Sequence, residues 1–157
     1  MIKDKDHKKY LDYLINNLIN KEKNNIVLNR VWSKDFSNSP GVYIFFENDK
    51  VVYVGETTSI KERMRDILDT RHHTLRRKIG AFNFSDIPEY KKANSKTKFP
   101  SIIEDLVSNW MVKKMKLSFI EVRLGRKELE DLIIKKYNPK YNSISKRGKT
   151  ILKSKII

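Results

Sequence analysis

The stretch GVYIFFENDKVVYVG, residues 41–55, decides the fold. Residues 42–46 and 51–54 are β-branched or aromatic, and the four residues between them are turn formers. This composition is typical of two antiparallel strands joined by a tight turn. The sequence therefore predicts a β-hairpin with a glycine at each end.

The length of the hairpin loop decides which side chains share a face. We expect a three-residue loop, 47–49, with Asp49 in the left-handed conformation. That register would place Tyr43 opposite Tyr53. A two-residue loop would place Ile44 opposite Tyr53 instead, and the two phenols would point to opposite faces.

The segments around the hairpin alternate between helical and strand patterns. Six apolar residues between 10 and 19 recur at helical spacing, and Ser59 or Thr58 can cap the helix predicted after the hairpin. Residues 81–100, with two prolines, are predicted to be an irregular insertion. The expected fold is α/β (α+β), a small central three-stranded sheet flanked by helices. The predicted helices are 4–20, 60–68, 74–80, 101–113 and 126–137, the third strand is 117–122, and 26–32 is a strand or a loop.

Composition limits the classes of protein. The chain has 157 residues, 39% of them hydrophobic, and carries a net charge of +15. This is enough chain for one domain, and no apolar run approaches the ~20 residues of a membrane-spanning helix. The first residues lack a secretory signal pattern. Because the chain has no cysteine, disulfides, thiolate zinc sites and cysteine nucleophiles are excluded, and a cytoplasmic location is expected.

Basic residues concentrate in two stretches. Residues 59–80 hold seven basic and three acidic residues, and residues 135–157 hold eight basic residues and no acidic one. Such a surplus favours a polyanionic partner, usually nucleic acid, although a solvated lysine-rich surface is the simpler alternative. The residues expected to contact nucleic acid are Lys61, Arg65, Arg71, Arg76, Lys140, Lys146 and Arg147.

The hairpin carries two short motifs. Gly-Val-Tyr at 41–43 and Tyr-Val-Gly at 53–55 place their tyrosines ten residues apart, and together they resemble the two halves of the GIY-YIG nuclease signature. Arg63 follows Tyr53 by ten residues, the position at which that family has its catalytic arginine on the first helix.

The segment 129–142 resembles the closing element of the same family. It reads LEDLIIKKYNPKYN, with Glu130 nine residues before Pro139. By this resemblance Glu130 binds the metal, and Asn142 supports the site. The likeness spans about residues 40–142.

The residues around Glu130 favour a metal-binding role independently of the family resemblance. Apolar side chains surround it, and no lysine or arginine stands four residues later to pair with it. A carboxylate on a largely apolar segment is stabilised by a cation, and Mg²⁺ or Mn²⁺ needs few protein carboxylates. The alternative is a surface ion pair backwards to Arg126 or Lys127.

The resemblance implies roles for three further side chains. One of the phenols of Tyr43 and Tyr53 would activate or position the attacking water, and the other would align the phosphate. A phenol with a pKa near 10 would need a nearby cation to act as a base; alternatively, both are ordinary strand aromatics. Arg63 would bind phosphate oxygens with its planar fork, or pair with Glu62 or Asp66.

The sequence departs from the family pattern at one position. Several members have a histidine four residues after the arginine, where this chain has Ile67. The nearest histidines are His72 and His73, and three roles stay open for them: proton donor to the leaving group, substrate contact or helix cap. Asn142 either bonds within the site or is a simple turn residue.

The resemblance implies a metal-dependent DNA endonuclease that leaves a 3′-hydroxyl and a 5′-phosphate. A compact chain without cysteine favours a small restriction or defence nuclease, for which a homodimer is an expected form. We divide the single domain into an N-terminal helical extension at 1–39, a catalytic block at 40–142 and a basic tail at 143–157.

Two other functions explain the charge. A non-catalytic nucleic-acid-binding module on the same scaffold would need the basic surface but not Glu130. A membrane-surface protein is disfavoured, because the apolar face of the predicted helix 4–20 suits packing on the domain.

Overall fold

A four-stranded antiparallel sheet forms the centre of the protein in the computed structural model, which describes residues 2–142, with side chains from residue 4. Its spatial order is β1-β4-β2-β3. The expected α+β fold is confirmed, with one strand more than predicted because a two-residue strand joins the far edge. The strands are β1 (Asn24–Asn25), β2 (Gly41–Glu47), β3 (Lys50–Thr57) and β4 (Met115–Glu121).

The helices pack on both faces of this sheet. Their bounds follow the predicted ones closely, except that α3 stops sooner and α4 continues into the start of the predicted insertion. The helices are α1 (Ile2–Asn20), α2 (Arg30–Lys34), α3 (Ile60–Asp66), α4 (Thr74–Phe84), α5 (Ser101–Lys114) and α6 (Arg126–Tyr137).

The segment 26–32 was predicted to be a strand or a loop, and neither prediction holds over its whole length. The strand lies just before it, in β1, and its second half begins the short helix α2. Asn29 caps that helix, because its side chain accepts a hydrogen bond from the Trp32 N–H at 2.8 Å. A polar residue at this position therefore starts a helix where the apolar pattern suggested a strand.

Side chains of β2 alternate between two cores. Tyr43 and Phe45 belong to the core covered by α3, α4 and α5, whereas Val42, Ile44 and Phe46 belong to the core covered by α1 and α6. All five are buried. Burial on both faces explains why this strand reads as an uninterrupted apolar run.

The hairpin register differs from the prediction. Glu47 pairs with Lys50, so the loop has two residues, both with positive φ, as in a type I′ turn. Asp49 is left-handed as expected (φ 63°). The predicted pairing of Tyr43 with Tyr53 is wrong, since Tyr43 pairs with Gly55 and Phe45 with Tyr53.

A β-bulge nevertheless brings the two phenols to one face. The pairing shifts by one residue between Phe45 and Phe46, leaving Val52 as the extra residue of β3. Val52 and Tyr53 therefore both lie in the core that holds Tyr43. The two tyrosine rings are 6.2 Å apart between centroids, so the shared face was predicted correctly but through the wrong loop.

Within the described residues, no helix is both long enough and apolar enough to cross a membrane. The basic tail predicted at 143–157, with Lys146 and Arg147, lies outside the described residues.

The turn conformation predicts how stability responds at Asp49. An L-residue in the left-handed region costs about 1–2 kcal/mol, a cost that glycine avoids. We expect Asp49→Gly to raise the free energy of unfolding and Asp49→Val to lower it, both measured by urea denaturation. Changes in the same direction for the two variants would contradict a left-handed residue at this position.

Candidate active site

Tyr43 and Gly55 stand opposite each other, and the phenol occupies the space above the glycine. A methyl group built on Gly55 would lie 2.3 Å from the Tyr43 hydroxyl oxygen and ring. Any larger residue at 55 would push the ring out of the site. The glycine therefore lets the Tyr43 hydroxyl reach the backbone of β3, near the peptide that joins residues 55 and 56.

The Tyr43 hydroxyl accepts two hydrogen bonds. Arg63 donates its Nε–H from α3 at 3.2 Å, and His73 lies with its Nε2 2.9 Å away. The phenol oxygen has two lone pairs, and both are taken if His73 donates. The phenol can then act toward a ligand only through its own O–H.

His73 does donate, because its other ring nitrogen is an acceptor. Its Nδ1 accepts a hydrogen bond from the Leu75 N–H at 3.1 Å and so caps the first turn of α4. In a neutral imidazole the proton then lies on Nε2, facing Tyr43. Of the three roles left open for the histidines, His73 takes that of helix cap, and it also holds the phenol of Tyr43.

Burial keeps both groups neutral. Desolvation lowers the pKa of His73 well below 6.5, and Arg63 and two neighbouring arginines lower it further. Desolvation also raises the pKa of Tyr43 well above 10, helped by the adjacent phenol of Tyr53 and opposed by Arg63. At neutral pH the site therefore holds an uncharged imidazole and a protonated phenol beside one guanidinium.

Tyr53 completes the aromatic cluster. Its ring centroid is 5.4 Å from that of His73, and its hydroxyl shares a 3.3 Å hydrogen bond with Thr74. The ring is buried. Tyr43, Tyr53 and His73 thus form one wall of the site.

Arg63 is held through two of its three guanidinium nitrogens, the Nε bound to Tyr43 and the Nη1. Its Nη1 donates to the Asp66 carboxylate at 3.2 Å and to the His72 carbonyl at 3.3 Å. No acceptor among residues 4–142 bonds its Nη2. The predicted pair with Asp66 exists, and it orients the fork so that one nitrogen can still donate to an anionic ligand.

Glu130 reaches the same edge of β3 from α6. Its Oε2 accepts a hydrogen bond from the Glu56 N–H at 2.9 Å, directly after Gly55. Its Oε1 is 2.9 Å from Lys127 Nζ, which is the backward ion pair that the sequence left open. The expected alternative partner Arg126 bonds the Glu56 carboxylate instead.

Asn142 is held by backbone, not directed at a ligand. Its side-chain amide accepts from the Val54 N–H at 3.0 Å and donates to the Val54 carbonyl at 2.8 Å. The Tyr141 N–H bonds the Val52 carbonyl at 2.8 Å. These bonds and that of Glu130 cover the outer edge of β3, so Asn142 supports the strand beside the site.

Four of the predicted nucleic-acid contacts lie at the surface, in three places. Lys61 and Arg65 lie on α3, lining a cleft beside Arg63. Arg71 is half-buried and doubly bonded to Asp69, with contacts at 3.0 and 2.7 Å. The Nζ of Lys140 lies 3.6 Å from a carboxylate oxygen of Glu47, close to the turn of the hairpin.

Arg76 was predicted wrongly as a surface contact. It is 2% exposed, and it bonds Thr70, Glu104 and Ser108 between α4 and α5. Its charge is compensated internally by Glu104 at 2.9 Å, because an arginine at this depth requires a carboxylate partner. It is a structural residue.

The residues around Glu130 fit a divalent cation that keeps most of its water. Among residues 4–142, no group of three or more His, Cys, Asp and Glu side chains forms a metal cage. Mg²⁺ often binds through one or two carboxylates and retains several waters. Glu130 Oε2 is fixed by a backbone N–H, and within the described part of the chain Oε1 is bound by Lys127, a side chain 70% exposed and able to move aside.

Comparison with known families decides the classification. Residues 28–155 match the profile of the GIY-YIG catalytic domain, which is most of the chain and includes all the site residues just described. The chain belongs to the GIY-YIG family. The predicted family relationship is confirmed.

Relatives of this GIY-YIG domain include a protein of the UvrABC system. The UvrABC system protein C of Fusobacterium nucleatum is 29% identical over 116 residues, 74% of this chain but 15% of that protein. The chain thus spans a small part of its curated relative.

Solved structures similar to this one are GIY-YIG N-terminal endonuclease domains of UvrC from Thermotoga maritima. A point mutant of that domain with one tyrosine changed to phenylalanine, bound to the catalytic divalent cation, is 21% identical with a TM-score of 0.42 and covers 73% of this chain and 93% of that one. The magnesium-bound domain is 22% identical with a TM-score of 0.40, covering 73% and 94%.

Sequence reasoning missed several members of this GIY-YIG site. Thr74, which bonds Tyr53, and the Glu56–Arg126 pair at 3.1 Å carry no motif. Glu56 could have been considered as a site residue, because it directly follows the second motif. Thr74 left no signal.

The buried imidazole predicts an acid-sensitive fold. Because the pKa of His73 is lower in the folded than in the unfolded protein, the unfolded state binds more protons below pH 6.5, and stability falls as the pH falls from there. We expect a slope of up to about 1.4 kcal/mol per pH unit from this group, measured by urea denaturation between pH 7 and 5.

The matched variant for this titration is His73→Asn, because asparagine keeps the helix cap and does not titrate. Its stability curve is expected to be flatter over the same range. Parallel curves for the two proteins would mean that another group causes the acid sensitivity.

Proposed function

We propose that this protein is a divalent-metal-dependent DNA endonuclease that hydrolyses phosphodiester bonds. The observation that carries the proposal is the convergence at Gly55. The Tyr43 hydroxyl, bound by Arg63 and His73, lies over that residue, and the next peptide N–H holds Glu130. A guanidinium, a phenol and a carboxylate placed together suit an anionic phosphoryl centre.

Arg63 and Tyr43 bind the phosphate. The Nη2 of Arg63 donates to a non-bridging oxygen, and the Tyr43 O–H, the remaining donor of that hydroxyl, points to the same group. Charge accumulates on these oxygens as water attacks phosphorus, and donors fixed in advance stabilise it. Asp66 and the His72 carbonyl hold the guanidinium in place from behind.

Tyr53 is the phenol left to orient the attacking water. Its hydroxyl shares one hydrogen bond with Thr74 at 3.3 Å, and a hydroxyl oxygen has two lone pairs, so it can still accept a hydrogen bond. His73 stays neutral and holds Tyr43 without adding a second positive charge. Asn142 holds β3 in position through its two hydrogen bonds to Val54. The Glu56 N–H is thereby placed where Glu130 can accept its hydrogen bond.

Glu130 would hold a divalent cation through the oxygen that Lys127 now occupies. The Thermotoga UvrC domain is described as bound to magnesium, its catalytic divalent cation, and the same ion suits a lone carboxylate here. Such an ion supplies Lewis acidity toward the phosphate and lowers the pKa of bound water. The predicted Mg²⁺ or Mn²⁺ dependence rests on this carboxylate.

A restriction or defence role is the narrower proposal, and a homodimer and a cytoplasmic location belong with it. It is supported by the compact catalytic block and the α1–α2 extension before it. The relative in the UvrABC system supports repair instead. The cleavage pattern distinguishes these roles, because a restriction enzyme cuts at one sequence and a repair incision enzyme cuts where the duplex is distorted.

The activity test is nicking of supercoiled plasmid. We expect Mg²⁺- or Mn²⁺-dependent nicking that a chelator abolishes, with mapped ends carrying 5′-phosphates. Glu130→Gln should lower the rate by more than about a hundredfold, since even outer ligands of a metal site contribute ~10–100-fold. Glu128→Gln, on the exposed face of the same helix, is the matched control and should cut normally.

Two results would oppose the proposal. Binding of plasmid without nicking by the unmodified protein would favour the non-catalytic module. Nicking that survives both the chelator and Glu130→Gln would remove the metal and Glu130 from the mechanism.

Arg63 and Tyr43 should act as a unit. Tyr43→Phe and Arg63→Lys are each expected to lower kcat by ~10²–10³-fold, the usual effect of removing one preorganised donor. Because the two side chains share a hydrogen bond, the double variant should lose much less than the product of the two effects. Multiplying effects in single-turnover assays would show that the two groups act independently.

A further inference from the structure

A cleft of about 900 Å³ opens beside the active site. One wall is α2 with the turn that follows it, the other is α3 with the segment up to His72, and Lys98 also lines the cleft. We call it the α2–α3 cleft. Its size exceeds that of a single phosphate group, so a polymer fits it better than a small anion.

The cleft connects directly with Arg63. Asp66 and His72 line it, and both bond the Nη1 of Arg63. A phosphodiester polymer with one phosphate group at Arg63 would therefore have its neighbouring phosphate groups at the opening of the cleft.

Four cations in the cleft have no acidic partner among residues 4–142. Arg30 and Lys34 come from α2, and Lys61 and Arg65 come from α3. Three of them are exposed, and Lys61 is half-buried. Their charges are thus available to a ligand.

The acidic residues of the cleft are mostly neutralised within it. Asp66 pairs with Arg63 at 3.2 Å, and Asp69 pairs with Arg71 at 2.7 Å and with Lys98 at 4.0 Å. Glu62, in the first turn of α3, is the remaining acid. The cleft therefore presents an excess of positive charge.

The two walls are held at a fixed separation by backbone hydrogen bonds. The Ile60 N–H bonds the Ser39 carbonyl at 2.9 Å, and the Lys61 N–H bonds the Ser37 carbonyl at 3.0 Å. Such a preorganised groove loses little conformational entropy on binding. A loose set of surface lysines would lack this property.

We propose that the α2–α3 cleft binds the DNA backbone on one side of the scissile phosphate, with Arg30 and Lys34 as phosphate contacts supplied by α2. This rests on the proposed function for its reference point, the phosphate at Arg63. The assignment gives the segment before the hairpin a role in substrate binding, and its ligand is a phosphodiester chain.

The first test is the salt dependence of DNA binding. A fluorescent duplex of about 20 base pairs is titrated with the full chain in chelator, which prevents cutting, at about 50–200 mM salt. Each lost phosphate contact lowers the slope of log K against log salt by about 1. Between the lowest and the highest salt concentration, the double variant Arg30→Ala/Lys34→Ala should lose roughly tenfold less affinity than the unmodified protein loses.

The control removes the same charge elsewhere. Lys9→Ala/Lys113→Ala changes two exposed lysines on α1 and α5, outside the cleft. Its slope should stay near that of the unmodified protein. Equal slopes for the two double variants, or no DNA binding by the unmodified protein, would overturn the proposal, and tighter binding of an RNA duplex of the same sequence would reassign the ligand.

A second test does not depend on weakening the protein. Because the chain has no cysteine, Lys34→Cys and Lys113→Cys each carry one thiol for a photo-cross-linker. We expect cross-linking to DNA from position 34 and little from 113, and the reverse would overturn the proposal. Binding and cross-linking without any nicking would contradict the proposed function but would still support the assignment of the cleft as a DNA-binding site.

Discussion

The site depends on an absent side chain. Gly55 leaves room for the Tyr43 ring, and a methyl group there would lie 2.3 Å from the phenol oxygen. The peptide after Gly55 donates the N–H that holds Glu130. One residue of β3 therefore joins the aromatic core on one face of the sheet to the helix α6 on the other, and the two halves of the site meet at its backbone.

The outer edge of β3 explains how distant parts of the chain are brought together. Backbone groups of residues 52, 54 and 56 face outward, and they are bonded by Tyr141, Asn142 and Glu130 respectively. An edge strand left open would attract other strands. The same bonds that protect the edge place the carboxylate, so folding of this strand and assembly of the site are one event.

Local patterns predicted the fold well, and long-range contacts limited the rest. The hairpin and the long helices follow from runs of β-branched residues and from helical spacing. Val51 and Val52 are chemically alike, so nothing in the residue types marks Val52 as the bulge that turns Tyr53 toward Tyr43. The burial of Arg76 likewise depends on Glu104, 28 residues away, which no local pattern reveals.

The Lys127–Glu130 contact has a consequence for ion occupancy. The hydrogen bond to Glu130 raises the pKa of Lys127, so the ammonium stays charged and acts as a tethered monovalent counter-ion. If a divalent ion binds at this oxygen, as proposed above, it would replace the ammonium of Lys127 there. Without such an ion Lys127 supplies a counter-charge to the carboxylate, and the hydrogen bond from the Glu56 N–H keeps Glu130 at the strand edge beside Gly55.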